Sequence, residues 1–219
     1  MAAPKDIAVF GAGGFGLEVA MLIGHINANR SQWKLLGFFD DGKHSSHTTN
    51  GLPLLGGLNE LNAWPEPLAV AFALGLPKTR KIVLDKISNA NLSFPSLVHP
   101  SVIIGPLEYV QIGEGTIICA GNIITTHIHI GRHVIINLAC TIGHETAIGD
   151  YCSFMPACNI SGEVRIGHSS YWGTGAKVIN RKVIGNETII GAGAVVITDI
   201  PDRATAVGVP ARIIKQESA

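Results

Sequence analysis

A glycine-rich segment near the start of the chain has the spacing of a phosphate-binding loop. This segment, Gly11-Ala-Gly-Gly-Phe-Gly16, follows a short apolar run, Ile7–Phe10, and opens a helical pattern that begins at Leu17. Glycines let a backbone approach a phosphate group, and a helix N-terminus supplies amide donors and partial positive charge. Asp40 comes 24 residues after Gly16, at the end of the next predicted strand, where a carboxylate suits a ribose or base contact. The spacing therefore predicts a nucleotide-binding site.

The adjacent residues His144 and Glu145 are a second candidate site. An imidazole takes up protons near neutral pH, and a neighbouring carboxylate can fix its tautomer and stabilise the imidazolium form. A pair of this kind suits general-base chemistry, which contributes roughly a hundredfold or more to a reaction rate.

A six-residue repeat must position this second pair. An apolar residue that is expected to point into the core recurs every six residues, fifteen times in succession, at Ile112, Ile118, Ile124, Ile130, Ile136, Ile142, Ile148, Phe154, Ile160, Ile166, Trp172, Val178, Ile184, Ile190 and Val196. Glycine often follows this position, and a small or branched residue often stands four residues after it. A strand of about four residues and a two-residue corner give this period, and three such sides close a turn of eighteen residues. The repeat predicts a parallel β-helix, with glycines relaxing the backbone where the chain bends.

The repeat also predicts which residues lie in one column. Residues eighteen apart occupy equivalent positions on adjacent turns, about 4.8 Å from each other. Thr126 is therefore expected below His144 and Gly162 above it. The same arithmetic places His127 below Glu145, and we hypothesise that His127 orients this carboxylate.

The repeat has room for five complete turns between Ile112 and about Pro201. Val98 and Ile104 fit an earlier start. The step from Ile104 to Ile112 is eight residues instead of six, which predicts a bulge of two residues.

The chain before residue 92 has a different pattern, strand–helix–strand–strand–helix. The predicted strands are Ile7–Phe10, Leu35–Phe39 and Leu68–Leu74, and the predicted helices run from Leu17 to about Ile26 and from Lys78 to about Ser88. This order is typical of the first half of a nucleotide-binding α/β fold. The segment is too short for two mononucleotide halves, which favours one nucleoside diphosphate and disfavours a nicotinamide oxidoreductase. We therefore predict two domains, residues 1–91 and 92–219.

Composition excludes several classes of protein. Charged residues are 15% of the 219, and sixteen basic side chains balance sixteen acidic ones, which excludes a general polyanion binder and an acidic disordered chain. Of 28 Ile, 23 lie beyond residue 100, as an aliphatic β-helix core requires. No apolar run approaches the ~20 residues of a membrane span, and the N-terminus lacks a signal-peptide pattern.

The four cysteines form no Cys-x-x-Cys pair, so a reduced cytoplasmic protein is expected. Cys140 and Cys158 are eighteen residues apart and are predicted to be buried, stacked thiols without a nucleophilic role.

Six segments resemble one family, in the same order, across essentially the whole chain. They are Gly11–Gly16, Phe39–Asp41, Gly51–Gly56, Phe94–Pro100, Ile142–Gly149 and Val207–Arg212. The family is the sialic-acid O-acetyltransferase family of hexapeptide-repeat acyltransferases, which includes N-acetyltransferases of the UDP-bacillosamine and related amino-sugar pathways. The resemblance implies an α/β half-Rossmann-like nucleotide-binding domain followed by a left-handed parallel β-helix.

The resemblance also implies an activity and partners. The activity is acetyl-CoA-dependent N-acetylation of a nucleotide-linked amino sugar in bacterial glycan biosynthesis, with UDP as the expected nucleotide and no metal. O-acetylation of sialic acid or another glycan precursor stays open as the alternative. Active sites of the family lie between the subunits of a homotrimer, so further copies of the chain are expected partners, whereas nucleic acid and membrane are not.

Carried over position by position, the resemblance makes His144 the general base and Glu145 its electrostatic partner. The nucleotide sugar is expected at Gly11, Gly13, Gly14, Phe15, Asp40, Asp41 and Asn137. Acetyl-CoA is expected at Ser153, Gly162, Gly173, Thr174, Ala192 and Arg212. The glycine above His144 leaves room for the thioester. Phe15 and Ser153 depart from the family pattern, in which both positions are often histidine.

Two rival functions use the same kind of β-helix. A γ-carbonic-anhydrase-type enzyme binds zinc through three histidines, two of them five residues apart, and no two histidines of this chain have that spacing. A non-catalytic scaffold would bind a nucleotide sugar without releasing thiol from acetyl-CoA.

Overall fold

The computed structural model describes residues 3–42, 48–49 and 51–217. The chain divides into two compact units, Met1–Pro100 and Ser101–Ala219. The first unit has the mixed α/β pattern, and the second consists of short strands at regular intervals.

The first unit is built on a mostly parallel sheet. Its elements are β1 Lys5–Phe10, α1 Gly14–Asn29, β2 Trp33–Phe39, β3 Thr48–Thr49, β4 Leu52–Gly56, α2 Leu58–Asn62, β5 Leu68–Phe72, α3 Pro77–Leu84, β6 Leu92–Ser93 and β7 Leu97–Val98. The sheet order is β3-β4-β2-β1-β5-β6, and only β3 runs antiparallel to its neighbour. The predicted strands and helices are confirmed.

The central strands explain why the glycine loop and Asp40 meet. The last four residues of β1 and all of β5 are buried, as expected for parallel strands that are covered on both faces. Since β1 lies beside β2 in parallel, Phe10 and Phe39 pair at the carboxyl ends of the two strands. The loop after β1 and the acidic residues after β2 therefore share one edge of the sheet.

The second unit is a parallel β-helix. Its strands are β8 Ile103–Ile104, β9 Val110–Ile112, β10 Ile117–Ile118, β11 Ile123–Ile124, β12 Ile128–Ile130, β13 Ile135–Ile136, β14 Thr141–Ile142, β15 Ala147–Ile148, β16 Ser153–Phe154, β17 Asn159–Ile160, β18 Arg165–Ile166, β19 Tyr171–Trp172, β20 Lys177–Val178, β21 Val183–Ile184, β22 Ile189–Ile190, β23 Val195–Val196, β24 Ala204–Val207 and β25 Arg212–Gln216. They form three sheets: sheet I contains β10, β13, β16, β19, β22, β24 and β25, sheet II contains β8, β11, β14, β17, β20 and β23, and sheet III contains β9, β12, β15, β18 and β21.

The predicted eighteen-residue register is confirmed. Ile124 pairs with Ile142, Ile142 with Ile160, and Ile160 with Val178, all in parallel. Fourteen of the fifteen repeated positions are buried, and Ile112 at the first turn is half-buried. The small or branched residues four positions later are buried as well, among them Thr116, Val134, Cys140, Cys158 and Ala176.

Three corners connect the sheets. The His144 corner, residues 125–128, 143–146, 161–164 and 179–182, leads from sheet II to sheet III. The Asp150 corner, residues 113–116, 131–134, 149–152, 167–170, 185–188 and 201–204, follows sheet III. The Asn137 corner, residues 119–122, 137–140, 155–158, 173–176 and 191–194, leads from sheet I to sheet II.

The role expected for the glycines that directly follow the inward-facing position, such as Gly143 and Gly149, is wrong, although other glycines do lie at the bends with a positive φ (Gly115, Gly121, Gly175 and Gly193). After glycines of the first kind, the positive φ that bends the chain occurs two residues later, for example at Glu145 (58°) and Tyr151 (62°). These glycines are needed instead because adjacent coils approach closely: a Cβ at Gly143 would lie 2.6 Å from the amide nitrogen of Gly162. Their lack of a side chain, not their backbone freedom, lets the coils stack.

The predicted two-residue insertion takes the form of a 3₁₀ turn. This turn, Leu107–Tyr109, lies between β8 and β9 and places Tyr109 directly before β9. Since Val110 pairs with Ile128, Tyr109 lies in the column of His127.

Candidate active site

The structure brings His144 and Glu145 together in the orientation that a general base needs. His144 Nδ1 lies 3.1 Å from Glu145 Oε2, and both side chains are more than half exposed, at 56% and 63%. Glu145 has the left-handed backbone conformation of its corner, which turns its side chain alongside the preceding histidine. The contact at Nδ1 leaves Nε2 as the nitrogen available to a substrate.

Gly162 lies directly against the edge of the His144 ring that carries Nε2. A Cβ at Gly162 would be 2.5 Å from His144 Nε2 and 2.6 Å from Cε1. Thr126 is on the other side, where its carbonyl accepts a hydrogen bond of 3.1 Å from the Glu145 amide. The column predicted for His144 is therefore confirmed, and a side chain at Gly162 would displace the ring from the position that it has here.

His127 has partners other than the carboxylate that we expected it to orient. Its Nδ1 lies 3.1 Å from Thr126 Oγ1, and its ring stacks on Tyr109 with centroids 4.6 Å apart. Sequence reasoning did not find Tyr109, although the eight-residue step before Ile112 marked the turn that carries it.

Asn137 is held in place on a different corner. Its side chain is 7% exposed, and its Oδ1 accepts a hydrogen bond of 2.7 Å from the Leu138 amide. Buried Asn122 supports it from the coil below, because Asn122 Nδ2 donates to the Asn137 carbonyl at 3.0 Å.

Gly173, Thr174 and Ala192 also lie on the Asn137 corner. Gly173 is buried, and a Cβ there would lie 2.5 Å from the Ala192 amide nitrogen, whereas Thr174 and Ala192 are exposed. The carbonyl of Thr174 accepts a hydrogen bond of 2.8 Å from the Gly193 amide. Within one chain, sheet II separates this corner from His144 and Gly162.

The remaining coenzyme candidates lie elsewhere. Ser153 is on sheet I and its side chain is fully buried, so it offers no exposed group within one chain. Arg212 begins β25 and is exposed. Its Nη1 donates a hydrogen bond of 3.1 Å to the Ala211 carbonyl.

The glycine loop of the first unit has the geometry of an anion site. Gly11 has a φ of +107°, and a Cβ there would lie 2.9 Å from the Ala73 carbonyl oxygen. Gly13 and Gly14 face open space, and half-buried Phe15 follows them. Helix α1 has no side-chain cap and no acidic residue in its first turn, so no side chain of the helix itself occupies its N-terminus.

Asp40 and Asp41 fasten the loops around this site. Asp40 Oδ2 accepts a hydrogen bond of 2.7 Å from the Ala12 amide, and its Oδ1 accepts one of 2.8 Å from Gly42. Asp41 Oδ1 accepts a hydrogen bond of 2.7 Å from the Leu58 amide at the start of α2. Both carboxylates keep free lone pairs for a ligand, but their first task is to organise the backbone.

The four cysteines are free and buried. Cys140 Sγ lies 3.3 Å from the Met155 carbonyl, and Cys158 Sγ lies 3.3 Å from the Gly173 carbonyl. The neighbouring Cys140 sulfur and burial both raise the pKa of the Cys158 thiol. The predicted buried pair is thus confirmed.

In residues 3–42, 48–49 and 51–217, no helix is both long and apolar enough to cross a membrane. The same part of the chain contains no group of three or more His, Cys, Asp or Glu side chains that could hold a metal ion.

The fold is that of hexapeptide-repeat acyltransferases, and known proteins of this class are similar to the chain over almost its whole length. The PglD N-terminal domain family matches residues 6–87. WeeI from Acinetobacter baumannii AYE is 32% identical, with a TM-score of 0.85 over 96% of this chain and 100% of that one. No curated protein sequence is significantly similar to the chain.

Two further solved structures were determined with ligands. PerB from Caulobacter crescentus, in complex with CoA and GDP-perosamine, is 30% identical, with a TM-score of 0.83 over 97% of this chain and 99% of that one. The acetyltransferase domain of PglB from Neisseria gonorrhoeae FA1090, in complex with acetyl coenzyme A, is 29% identical, with a TM-score of 0.87 over 97% and 100%. The chain belongs to the family of hexapeptide-repeat acyltransferases that carry a PglD N-terminal domain.

Proposed function

We propose that the protein transfers the acetyl group of acetyl-CoA to the amine of a nucleotide-linked amino sugar, with His144 as the general base. One observation carries this proposal: Glu145 engages Nδ1 of His144, and Nε2 faces Gly162, where the absence of a side chain leaves the ring in place. A base that is oriented on one nitrogen and open on the other is the arrangement that proton removal from a nucleophile requires.

The proposed reaction is a direct transfer. The neutral amine of the sugar attacks the thioester carbonyl and forms the new C–N bond, while His144 Nε2 takes one proton from the nitrogen. The tetrahedral intermediate then expels the thiolate of CoA as the C–S bond breaks, and the imidazolium returns the proton to the sulfur. Glu145 stabilises the imidazolium between these steps, and the Gly162 amide is our candidate donor to the oxyanion.

The relatives support N-acetylation over O-acetylation. A structure from Caulobacter crescentus is described as a mutant of perosamine N-acetyltransferase in complex with CoA and GDP-perosamine, and it is 28% identical over 98% of this chain. PerB and the PglB domain add complexes with CoA and acetyl-CoA. The alternative, O-acetylation of sialic acid or another glycan precursor, has no such support among these relatives.

We propose that the first unit holds the nucleotide. The uncapped N-terminus of α1 and the open positions at Gly13 and Gly14 suit a diphosphate. Asp40 and Asp41 retain free lone pairs that can accept from ribose or base groups. We expect UDP, and the same geometry admits other nucleotides.

The arrangement of the corners favours an active site shared between copies of the chain. His144 and Gly162 lie on one corner, whereas Asn137, Gly173 and Thr174 lie on another, and a sheet of the same β-helix separates them. One small active site can use both sets only if the second corner comes from another copy. We therefore propose a homotrimer with its active sites between subunits. The four free cysteines fit a reducing compartment, and we propose the cytoplasm.

A thiol-release assay tests the proposal. Acetyl-CoA is supplied with UDP-, dTDP- and GDP-linked amino sugars and with free sialic acid, using wild-type protein and His144→Ala. We expect release with at least one nucleotide amino sugar and a fall of about a thousandfold in His144→Ala, within the range of general-base contributions. Equal rates in both proteins contradict the mechanism.

Matched acceptors separate the two kinds of transfer. The deaminated analogue of the best acceptor, with a hydroxyl in place of the amine, should be inert, and the acetylated product should survive hydroxylamine, which cleaves esters but not amides. A product that hydroxylamine deacetylates would establish the O-acetyltransferase alternative. Binding of a nucleotide sugar with no thiol release from any acceptor would favour a scaffold.

A further inference from the structure

We infer that the stacked rings of Tyr109 and His127 form a binding surface for the sugar ring of the acceptor, a specificity-determining site that rests on the proposed function. The two rings are nearly parallel, at 14°, with centroids 4.6 Å apart. Tyr109 is 45% exposed and His127 is exposed as well. We call this pair the aromatic platform.

The platform belongs to the column of the catalytic pair. Tyr109, His127 and Glu145 follow each other at eighteen-residue intervals. At about 4.8 Å per coil, the Tyr109 ring lies roughly 10 Å from Glu145 along the corner. A hexose ring is about as wide as one coil spacing. The ring of a sugar whose amine contacts His144 therefore reaches the coil of His127, and its substituents can extend along the corner to Tyr109.

The position of the platform in the column indicates that it binds the acceptor sugar and not the coenzyme. The β-helix residues proposed for acetyl-CoA, with the exception of Ser153, begin at Gly162 and continue to higher residue numbers, on coils above His144. The platform lies on the coils below His144. The acceptor must approach the base from a side that the thioester does not occupy, which leaves these coils for the sugar.

The turn that carries Tyr109 is an exception within the repeat. Two extra residues between Ile104 and Ile112 form the turn Leu107–Tyr109, which also exposes Leu107 to 75%. Insertions in repeat proteins commonly lie on the binding face. An exposed aromatic ring supported by a second ring is costly to hydrate, and the C–H groups of a pyranose face are suited to cover it.

His127 lies between Tyr109 and the catalytic pair in this column, so it forms the part of the platform nearest to His144. Its Nδ1 contact with Thr126 Oγ1, at 3.1 Å, fixes the plane of the imidazole on which Tyr109 lies. This gives His127 a task that does not depend on contact with Glu145.

Steady-state kinetics of Tyr109→Ala test the platform. With the nucleotide amino sugar that the wild type acetylates best in the UDP, dTDP and GDP panel, we expect the acceptor KM to rise about three- to tenfold. The KM of acetyl-CoA should stay within about twofold, since the coenzyme lies on the other coils. Tyr109→Phe keeps the ring and should retain the wild-type KM, and Leu107→Ala, in the same turn, is the matched control.

Several outcomes would overturn the platform. They are an unchanged acceptor KM in a Tyr109→Ala protein of wild-type size and melting temperature, a rise in the acetyl-CoA KM instead, or an equal rise in Leu107→Ala. Should the alanine variant unfold, Tyr109→Leu keeps the apolar packing without a flat ring, and the same criteria apply to it.

Calorimetry without acetyl-CoA separates this inference from the proposed function. The titration measures binding of the same UDP-, dTDP- and GDP-linked amino sugars independently of catalysis. A wild type that binds an amino sugar more tightly than Tyr109→Ala does, but releases no thiol, supports the platform and contradicts the acetyltransferase. A wild type that is active and binds no better than Tyr109→Ala contradicts the platform alone.

Discussion

The His144 corner and the Asp150 corner of the β-helix have the same backbone and different side-chain roles. Each coil bends at both corners through one left-handed residue, Glu145 (58°) at the first and Tyr151 (62°) at the second. On the coil of His144, each of the two corners has a close-packed glycine two residues before the left-handed residue, Gly143 at the first and Gly149 at the second. The difference between the corners therefore comes from the side chains alone.

The Asp150 corner contains a ladder of side-chain oxygens that bind backbone amides. Asp150 Oδ1 accepts from the Arg132 amide at 2.7 Å, Asn186 Oδ1 from His168 at 3.0 Å, and Asp202 Oδ1 from Asn186 at 2.7 Å. Arg132 Nη2 also lies 2.9 Å from Asp150 Oδ2. These polar groups hold adjacent coils together.

The equivalent positions of the His144 corner are Thr126, His144, Gly162 and Asn180. Here the ring of His144 lies against Gly162 of the next coil, and the charged group that contacts the ring is the carboxylate of Glu145. At the Asp150 corner the side-chain oxygens are bound to backbone amides and stabilise the fold. At the His144 corner the imidazole is not used in this way, which leaves it for the general-base role that we propose.

Gly162→Ala should have the largest effect on the comparison. Its Cβ would lie 2.5 Å from His144 Nε2, and the exposed imidazole would move aside while the fold is kept. We expect kcat/KM to fall by about a hundredfold or more, because the base is displaced, with an unchanged melting temperature. Gly143→Ala is the contrasting control, because its Cβ would meet the Gly162 backbone at 2.6 Å and should lower the melting temperature. A fully active Gly162→Ala enzyme would show that the ring position is not needed.

Glu145→Gln should have the next largest effect. It keeps the shape of the side chain but removes the charge that faces His144 Nδ1 at 3.1 Å. We expect kcat to fall by roughly tenfold to a hundredfold, with little change in the KM of acetyl-CoA. Glu187→Gln is the matched control, since Glu187 has the same left-handed conformation on the Asp150 corner. Equal activity of the two variants would remove Glu145 from the mechanism.

Asp150→Asn should weaken the fold and leave the chemistry unchanged. The variant loses the charge that Arg132 contacts, so we expect the free energy of unfolding to fall by about 1 kcal/mol. Urea denaturation at neutral pH measures this loss, and thiol release should retain the wild-type rate. Loss of activity at full stability would contradict the assignment of this corner to structure.

Acid should affect the ladder in a defined pH range. Burial raises the pKa of the Asp150 carboxyl, but the Arg132 amide and guanidinium outweigh it and hold this pKa below its ordinary value. The Asn186 amide lowers the pKa of Asp202 in the same way. A lowered pKa gives stability that is present above about pH 4 and is lost as the pH falls through the folded value. Urea midpoints should thus fall below pH 4, and less steeply in Asp150→Asn; parallel curves for both proteins would contradict this.

The six-residue period predicted the β-helix because packing in the core imposes this period on the sequence. An inward side chain must meet its equivalent one turn later, so register, burial and the column of His144 and Gly162 follow from counting. The first unit was predictable for its long apolar strands and helices. Its short elements β3, β6 and α2 carry too few residues to show a period, and tertiary contacts define them.

The parts that counting missed depend on local packing. The glycines were assigned to bending because sequence alone cannot distinguish backbone conformation from close approach, and the structure separates Gly143 from Glu145 in this respect. The ligand role of Asp40 stays a prediction, whereas the loop amides that its carboxylate binds could not be found from a pattern of residue types. The stack of Tyr109 on His127 needed the conformation of an inserted turn.

The left-handed residues at the corners also lower the free energy of unfolding of the protein. Among the residues that the structure describes, eleven other than glycine have a positive φ, and each of them costs roughly 1 kcal/mol or more relative to glycine. Some of these positions carry function, as Glu145 and His127 do in our proposals. Others, such as Ala139 and Ala157, have small apolar side chains with no proposed role. Glycine or asparagine at those two corners offers a route to a more heat-resistant enzyme that leaves the reacting groups untouched.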